Sequence, residues 1–197
     1  MNKQAMDKNG NPDAKTDLRV RRTRKLLWDA LIGLLEHRTF ESLSIQEICD
    51  TAMVHRTTFY KHFEDKYHLA SYGLSLIDEL FANTSCEQRL LHPFKTFQRF
   101  ADTKQFRALT KAAKENHFLS NLMIKHGAES LNRDLTEARQ HGFSSDIPLE
   151  IFAPFYSGAV CSICSWWIEN GMKQSPEEMD EYIRRMFNHE VFSPDWG

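Results

Sequence analysis

From Leu27 onward, apolar residues recur three and four positions apart, the spacing of one face of an α-helix. Leu27, Leu31, Leu34 and Leu35, broadened by Trp28 and Ile32, predict a helix from about Asp17 to His37. Ser44 followed by Glu47 has the form of a capping box, and Ile45 and Ile48 supply the buried face of a short helix ending near Ala52. After a brief turn, His55 to Lys61 reads as another short helix, with Phe59 and Phe63 four apart and able to face one core. Asp65 can cap a longer helix from Lys66 to about Phe81, striped by Leu69, Tyr72, Leu76 and Leu80. The period-two alternation of a strand is absent from this stretch.

The remainder reads the same way. Pro93 opens a segment rich in phenylalanine (Phe94, Phe97, Phe100, Phe106), and a long helix is expected from about His117 to Arg139. Pro148 opens another, Leu149 to Asn170, stopped at Gly171. Ser175-Pro176-Glu177-Glu178 is a helix start: a capping serine, proline at the first position and glutamate at the third. The expected fold is all-α: an N-terminal three-helix bundle with a helix-turn-helix, then a larger C-terminal helical domain for dimerisation and ligand binding. Residues 1–16 are expected to be a flexible tail, 17–64 the helix-turn-helix domain, and 65–197 the C-terminal domain.

Charge changes the picture locally rather than globally. A formal net charge of −2 gives no overall field that would draw the chain to nucleic acid. Yet Arg19, Arg21, Arg22, Arg24 and Lys25 crowd the first turns of a helix, where the macrodipole disfavours cations. Their placement points to another use. The sequence shows no signal-peptide pattern and no uninterrupted run of some 18 apolar residues, so a cytoplasmic protein without a membrane segment is expected. Cys161-x-x-Cys164 lies within an apolar helix, where cysteines serve as small core residues rather than as a redox or zinc pair. The histidines lack metal-site spacing, and no phosphate loop, nucleophile elbow or paired carboxylates stand out. Neither catalysis, nor a cofactor, nor a metal is expected.

Two short helices behind a basic one meet the needs of a helix-turn-helix, whose second helix enters the major groove. Its polar positions here are His55, Arg56, Thr57, Thr58, Tyr60 and Lys61. The stretch Ser44 to Leu69, SIQEICDTAMVHRTTFYKHFEDKYHL, resembles the DNA-binding motif of the TetR/AcrR family of bacterial regulators. The matching residues are Ala52, Val54, Thr58, Phe59, Tyr60, His62, Phe63, Lys66 and Leu69, with Arg22, Lys25 and Phe40 fitting upstream. The resemblance implies double-stranded operator DNA as partner. It implies phosphate contacts from Tyr60 and from Lys66 (largely through its backbone N–H), a capping role with phosphate contact for Ser44, and base reading by Arg56, Thr57 and Thr58. Arg22, Thr23, His55, Lys61 and His62 complete the expected DNA-binding set. Two positions depart from the family pattern. Met53 stands where the turn usually has glycine, and His55 where the recognition helix usually starts with serine. If position 53 needs positive φ, methionine costs on the order of 1 kcal/mol there.

The Leu149–Asn170 helix is apolar or small nearly all round, as a buried helix is. The resemblance implies that this helix and the next, about 148–170 and 176–189, form a homodimer across a two-fold axis. It also implies a small effector, apolar or aromatic, held in the C-terminal domain; Phe97, Phe100, Leu122, Met123, Phe152, Tyr156 and Trp167 are candidate lining. The expected function is a ligand-responsive repressor on a palindromic operator. The alternative is a TetR-like co-regulator that binds another protein and has no small-molecule effector.

Overall fold

A computed structural model describes residues 12–81, 84–101, 103–140 and 147–186, which form ten helices and no strand. α1 runs Pro12–Leu35, five residues earlier than the expected start at Asp17. Proline suits a first helical position because it has no N–H to leave unsatisfied. The helix therefore covers 12–16 of the expected tail, while residues 1–11 lie outside those described. α2, Ile45–Ala52, carries the predicted capping box in full, with Ser44 and Glu47 bonded in both directions. α3 is only Arg56–Phe59. It gives way to turns that end with the Phe63 N–H on the Phe59 carbonyl at 2.9 Å. The chain leaves the helix there so that Asp65 can accept the His68 N–H (2.8 Å) and start α4, Lys66–Phe81.

A short helix that was not expected, α5 (Cys86–Leu91), precedes the phenylalanine-rich segment, which holds two helices, α6 (Pro93–Ala101) and α7 (Lys104–Glu115). Ser85 caps α5 by accepting the Gln88 N–H at 3.1 Å, and Thr103 caps α7 by accepting the Phe106 N–H at 3.2 Å. Asn116 caps α8, His117–Gln140, through Leu119 N–H (2.9 Å). α9 spans Leu149–Glu169 and α10 Pro176–Met186, so residues 187–189 of the expected final helix lie outside those described.

Two buried clusters organise these helices. The first joins Leu27, Leu31 and Leu35 of α1 to Ile48, Phe59 and Leu69, and continues into Leu109, Ala112 and Ala113 of α7. The second gathers Leu90, Phe94, Leu135, Phe152, Trp167 and Ile183 from α5, α6, α8, α9 and α10. The helix-turn-helix core thus runs past residue 64 into α4 and α7. α1 and α4 cross very closely: a methyl group added at Gly73 would meet Trp28 ring carbons at 2.1 Å. α10 is tied to α6 by Asp180, which is 4% exposed and accepts the Phe94 N–H at 2.8 Å. α9 has the length and apolarity of a membrane span (mean hydropathy 1.4), and much of its apolar surface packs into the second cluster.

Candidate nucleic-acid interface

α2, its turn and α3 present one polar surface, and the turn explains how. Met53 takes φ 53° and ψ 42°, in the left-handed region. Its N–H reaches the Asp50 carbonyl at 3.2 Å, and the Val54 N–H reaches the Cys49 carbonyl at 2.9 Å. This pair of bonds ends a helix in the Schellman manner, usually with glycine at the left-handed residue. Val54 folds back onto the first core while the Met53 side chain is 93% exposed. His55 stands at the N-cap of α3 with extended backbone and makes no side-chain cap bond.

The short α3 is anchored by Phe59, which is fully buried, edge-on to Tyr60 and tilted against Phe63. With that residue inside, His55, Arg56, Thr57, Tyr60 and Lys61 are exposed and Thr58 is half-buried. The Arg56 guanidinium donates to the Tyr60 hydroxyl at 3.2 Å, and lies 5.7 Å from that ring's centroid. The pair forms one preorganised donor-rich edge, suited to phosphates and purines. His62 is half-buried. Burial, then the charges of Arg24 and Lys61, hold its imidazole below the usual value.

Several of the expected contact residues also hold the fold together. The Lys66 ammonium turns inward and donates to the carbonyls of Phe40 (2.9 Å), Glu41 (3.1 Å) and Leu43 (2.9 Å), with the Phe40 ring centroid 4.9 Å away. All three of its protons bind the α1–α2 loop, so its side chain is a staple, and only its backbone N–H at the start of α4 remains for an anion. The Ser44 hydroxyl donates to Glu47 at 2.7 Å and accepts that residue's N–H at 3.2 Å. The Ser44 backbone N–H, which donates to this carboxylate at 2.9 Å, and then the Ser44 hydroxyl and Arg38 (2.8 Å from its other oxygen) hold the Glu47 carboxyl down to about 2. The basic cluster divides as well. Arg19, Arg21 and Arg22 are exposed, whereas Arg24 lies over Phe63 and Tyr72 (6.0 and 5.7 Å) and Lys25 pairs with Asp29 at 2.6 Å. Thr23 is half-buried and donates to the Arg19 carbonyl within α1.

Glu41 was not anticipated. Its carboxylate accepts from Asn116 Nδ2 at 2.6 Å and from the Tyr67 hydroxyl at 3.4 Å. It ties the loop before α2 to the α7–α8 junction. Its only sequence signal was an acidic residue beside Phe40.

Behind this surface, where the two cores meet, lies a cavity of about 150 Å³. Leu74 and Met123, from the first cluster, face Phe106, Leu131, Tyr156 and Val160 from the second across it. Of the expected lining, Phe97, Met123 and Tyr156 are present. Leu122, Phe152 and Trp167 are not: Leu122 packs on the first core, Phe152 is buried in the second, and Trp167 is 2% exposed with its indole N–H on the Gln174 carbonyl at 3.0 Å. Helical periodicity put them on apolar faces, and those faces are filled by neighbours. Phe100 belongs to α6, but its side chain lies outside those described. Cys161 and Cys164 also line the cavity, and burial pushes their thiols up to about 11 and about 12, so both stay protonated. Among the described residues no three His, Cys, Asp or Glu side chains gather as a metal site.

Comparison with known proteins agrees with this geometry. Residues 27–72 match "Bacterial regulatory proteins, tetR family", and residues 94–189 match the "Transcriptional regulator C-terminal region" of the same kind of regulator. A search of curated proteins found no match in sequence. Among solved structures, the chain is similar to a TetR transcriptional regulator from Streptococcus agalactiae, with 22% identity over 88% of this chain and 98% of that one and a TM-score of 0.61. It is similar to the dihydroxyacetone kinase operon activator DhaS at 16% identity, over 87% and 97% of the two chains, TM-score 0.59. It is similar also to FadR from Bacillus subtilis in complex with stearoyl-CoA, at 13% identity over 82% and 96%, TM-score 0.56.

Proposed function

Since the chain belongs to the TetR family of transcriptional regulators, we propose that it works as a cytoplasmic, homodimeric, ligand-responsive repressor of a palindromic operator. The family's members bind operator DNA as dimers and are regulators, not enzymes. Here the bases are read by Arg56, Thr57 and Thr58, while Tyr60, Lys61 and the exposed Arg22 hold phosphates. The observation that carries the ligand-responsive part is the position of the cavity. Leu74 of α4 forms part of its wall, and α4 is the helix on which the helix-turn-helix sits, locked to α1 by the Trp28–Gly73 contact. A molecule that fills the seam between the two cores displaces α4, and with it the separation of two recognition helices. Effector and operator then favour different separations, the requirement for coupling two ligands. The cavity, at about 150 Å³, is far too small for an acyl-CoA such as the one named with the FadR structure.

α9 and α10 supply the dimer surface. Ile151, Phe155 and Trp166 of α9 and Tyr182 and Met186 of α10 are all exposed by 41% or more. Apolar groups gathered at such density mark an interface, and a two-fold axis there fits two half-sites about one DNA turn apart.

A mobility-shift assay on the DNA upstream of the coding sequence tests the reading. Binding is expected to weaken steeply with salt, and the double variant Tyr60→Ala/Lys61→Ala is expected to lose it. Equal binding by the variant and the unmodified protein rejects the surface. A protein that binds but responds to no small molecule supports the co-regulator alternative.

A further inference from the structure

The polar groups around the cavity narrow what it accepts. The charges that form an ion pair on its wall are those of Arg89 and Asp134, joined side by side, and Arg89 also donates to the Ser130 hydroxyl at 3.3 Å. The guanidinium charge is thus paired with Asp134, while its buried Nε–H has no hydrogen-bond partner and can meet a neutral acceptor. An anion placed here would confront Asp134, and a cation would confront Arg89. Either must break a largely desolvated pair, which is costly because it leaves one charge without its partner. The Ser130 oxygen accepts from Arg89, and its own hydrogen has no acceptor among the described residues. The hydroxyls of Thr96 and Thr110 donate to the carbonyls four residues back, those of His92 and Phe106, at 2.9 and 2.7 Å, which leaves their oxygens able to accept. His126 lies on the same wall with its Nε2 3.2 Å from the Ser71 hydroxyl, and neutral hydrogen bonding in both directions is on offer.

Shape follows from the helices. Along α8 the lining runs from Met123 to Asp134, roughly 16 Å of helix at 1.5 Å per residue. A volume of about 150 Å³ spread along such a wall is narrow. An apolar cavity of about that volume holds benzene, so roughly six to ten heavy atoms fill it.

Resting on the reading of this cavity as the effector site, we infer that the effector is an uncharged, slender molecule bearing a hydroxyl or carbonyl group, its chain among Leu74, Phe106, Met123 and Val160 and its polar group at Ser130. Carboxylates and amines of the same length are excluded by the Arg89–Asp134 pair.

Three probes of equal length separate the possibilities: 1-hexanol, hexanoate and hexylamine, each titrated into the full-length dimer at pH 7 by calorimetry and by thermal melting. Hexanol is expected to bind and to raise the melting temperature, with the two charged compounds at least about ten-fold weaker. Ser130→Ala is expected to weaken hexanol about five-fold. Asp134→Asn keeps the side-chain shape but releases the Arg89 charge, and is expected to reverse the preference towards hexanoate. Hexanoate or hexylamine binding the unmodified protein as tightly as hexanol, or no probe binding at all, overturns the inference. Should Asp134→Asn fail to fold, the order of the three probes on the unmodified protein and the Ser130→Ala ratio still decide it. Binding is read without DNA. Hexanol that binds but leaves operator affinity unchanged therefore counts against the ligand-responsive reading, and leaves the assignment of ligand class standing.

Discussion

At the scale of single residues, two lysines five apart have opposite roles. Lys61 is exposed beside the recognition helix, while Lys66 spends its ammonium on three loop carbonyls. Operator affinity measured across a salt series separates them. Lys61→Ala should lower the slope of log affinity against log salt by about one, the mark of a lost phosphate contact. Lys66→Ala should leave that slope unchanged and lower folding stability by about 2 kcal/mol, since it strips charge-assisted hydrogen bonds from partly buried carbonyls. Met53 offers a test of the opposite sign. Its left-handed backbone costs a side-chain-bearing residue on the order of 1–2 kcal/mol, against roughly 0.4–1 kcal/mol gained by restricting the unfolded chain. Met53→Gly should therefore stabilise the protein by about 0.5–1 kcal/mol in chemical denaturation. The exposed thioether takes no packing with it. The sequence identified both positions, but not the hold of the Lys66 ammonium on the loop before α2. A glycine position occupied by methionine is visible from the turn pattern, whereas the direction of a lysine side chain depends on a loop 23 to 26 residues away.

At the scale of elements, the helices with strong local signals were legible: capping at Ser44 and Ser175, proline at 176, and leucines at regular spacing. α6 and α7 were not separated, because their phenylalanines continue one apolar pattern past the cap at Thr103, and α5, which holds no phenylalanine and is capped by Ser85, lies ahead of the segment that Pro93 opens. For the cavity, three of the six candidates whose side chains are described line it, because periodicity identifies a buried face without saying whether a neighbour fills it. The capping box of α2 carries its own pH dependence. The Glu47 carboxyl is held near 2 in the folded protein, below its ordinary 4.5. A depressed carboxyl contributes stability that is present above the unfolded value and lost as the pH falls towards the folded one. Melting temperatures should therefore drop between pH 4.5 and 2, and Glu47→Gln, less stable at pH 7, should show a shallower drop over that window.

At the scale of the whole molecule, the exposed apolar residues of α9 and α10 give the dimer a test. Phe155 and Trp166 are 62% and 49% exposed in the single chain. The double change Phe155→Glu/Trp166→Glu should yield a folded monomer by sedimentation, with helical content retained. Operator affinity should fall at least about a hundred-fold as the second half-site is lost. A variant that remains dimeric would move the interface elsewhere.

The helix-turn-helix does not own its core. Leu109, Ala112 and Ala113 of α7 pack with Leu27, Leu31 and Ile48, and the Glu41–Asn116 bond and the Lys66 staple cross the same boundary. This limits how the protein can be taken apart or rebuilt. A fragment ending near residue 64 would carry a bare apolar face and should be unstable or aggregate. A hybrid made by joining another regulator's first 64 residues to this C-terminal domain would set two unmatched cores against each other. New operator specificity is reached more safely by altering the exposed side chains at 55–57, none of which belongs to the shared core. In this chain the portable unit is a surface, not a domain.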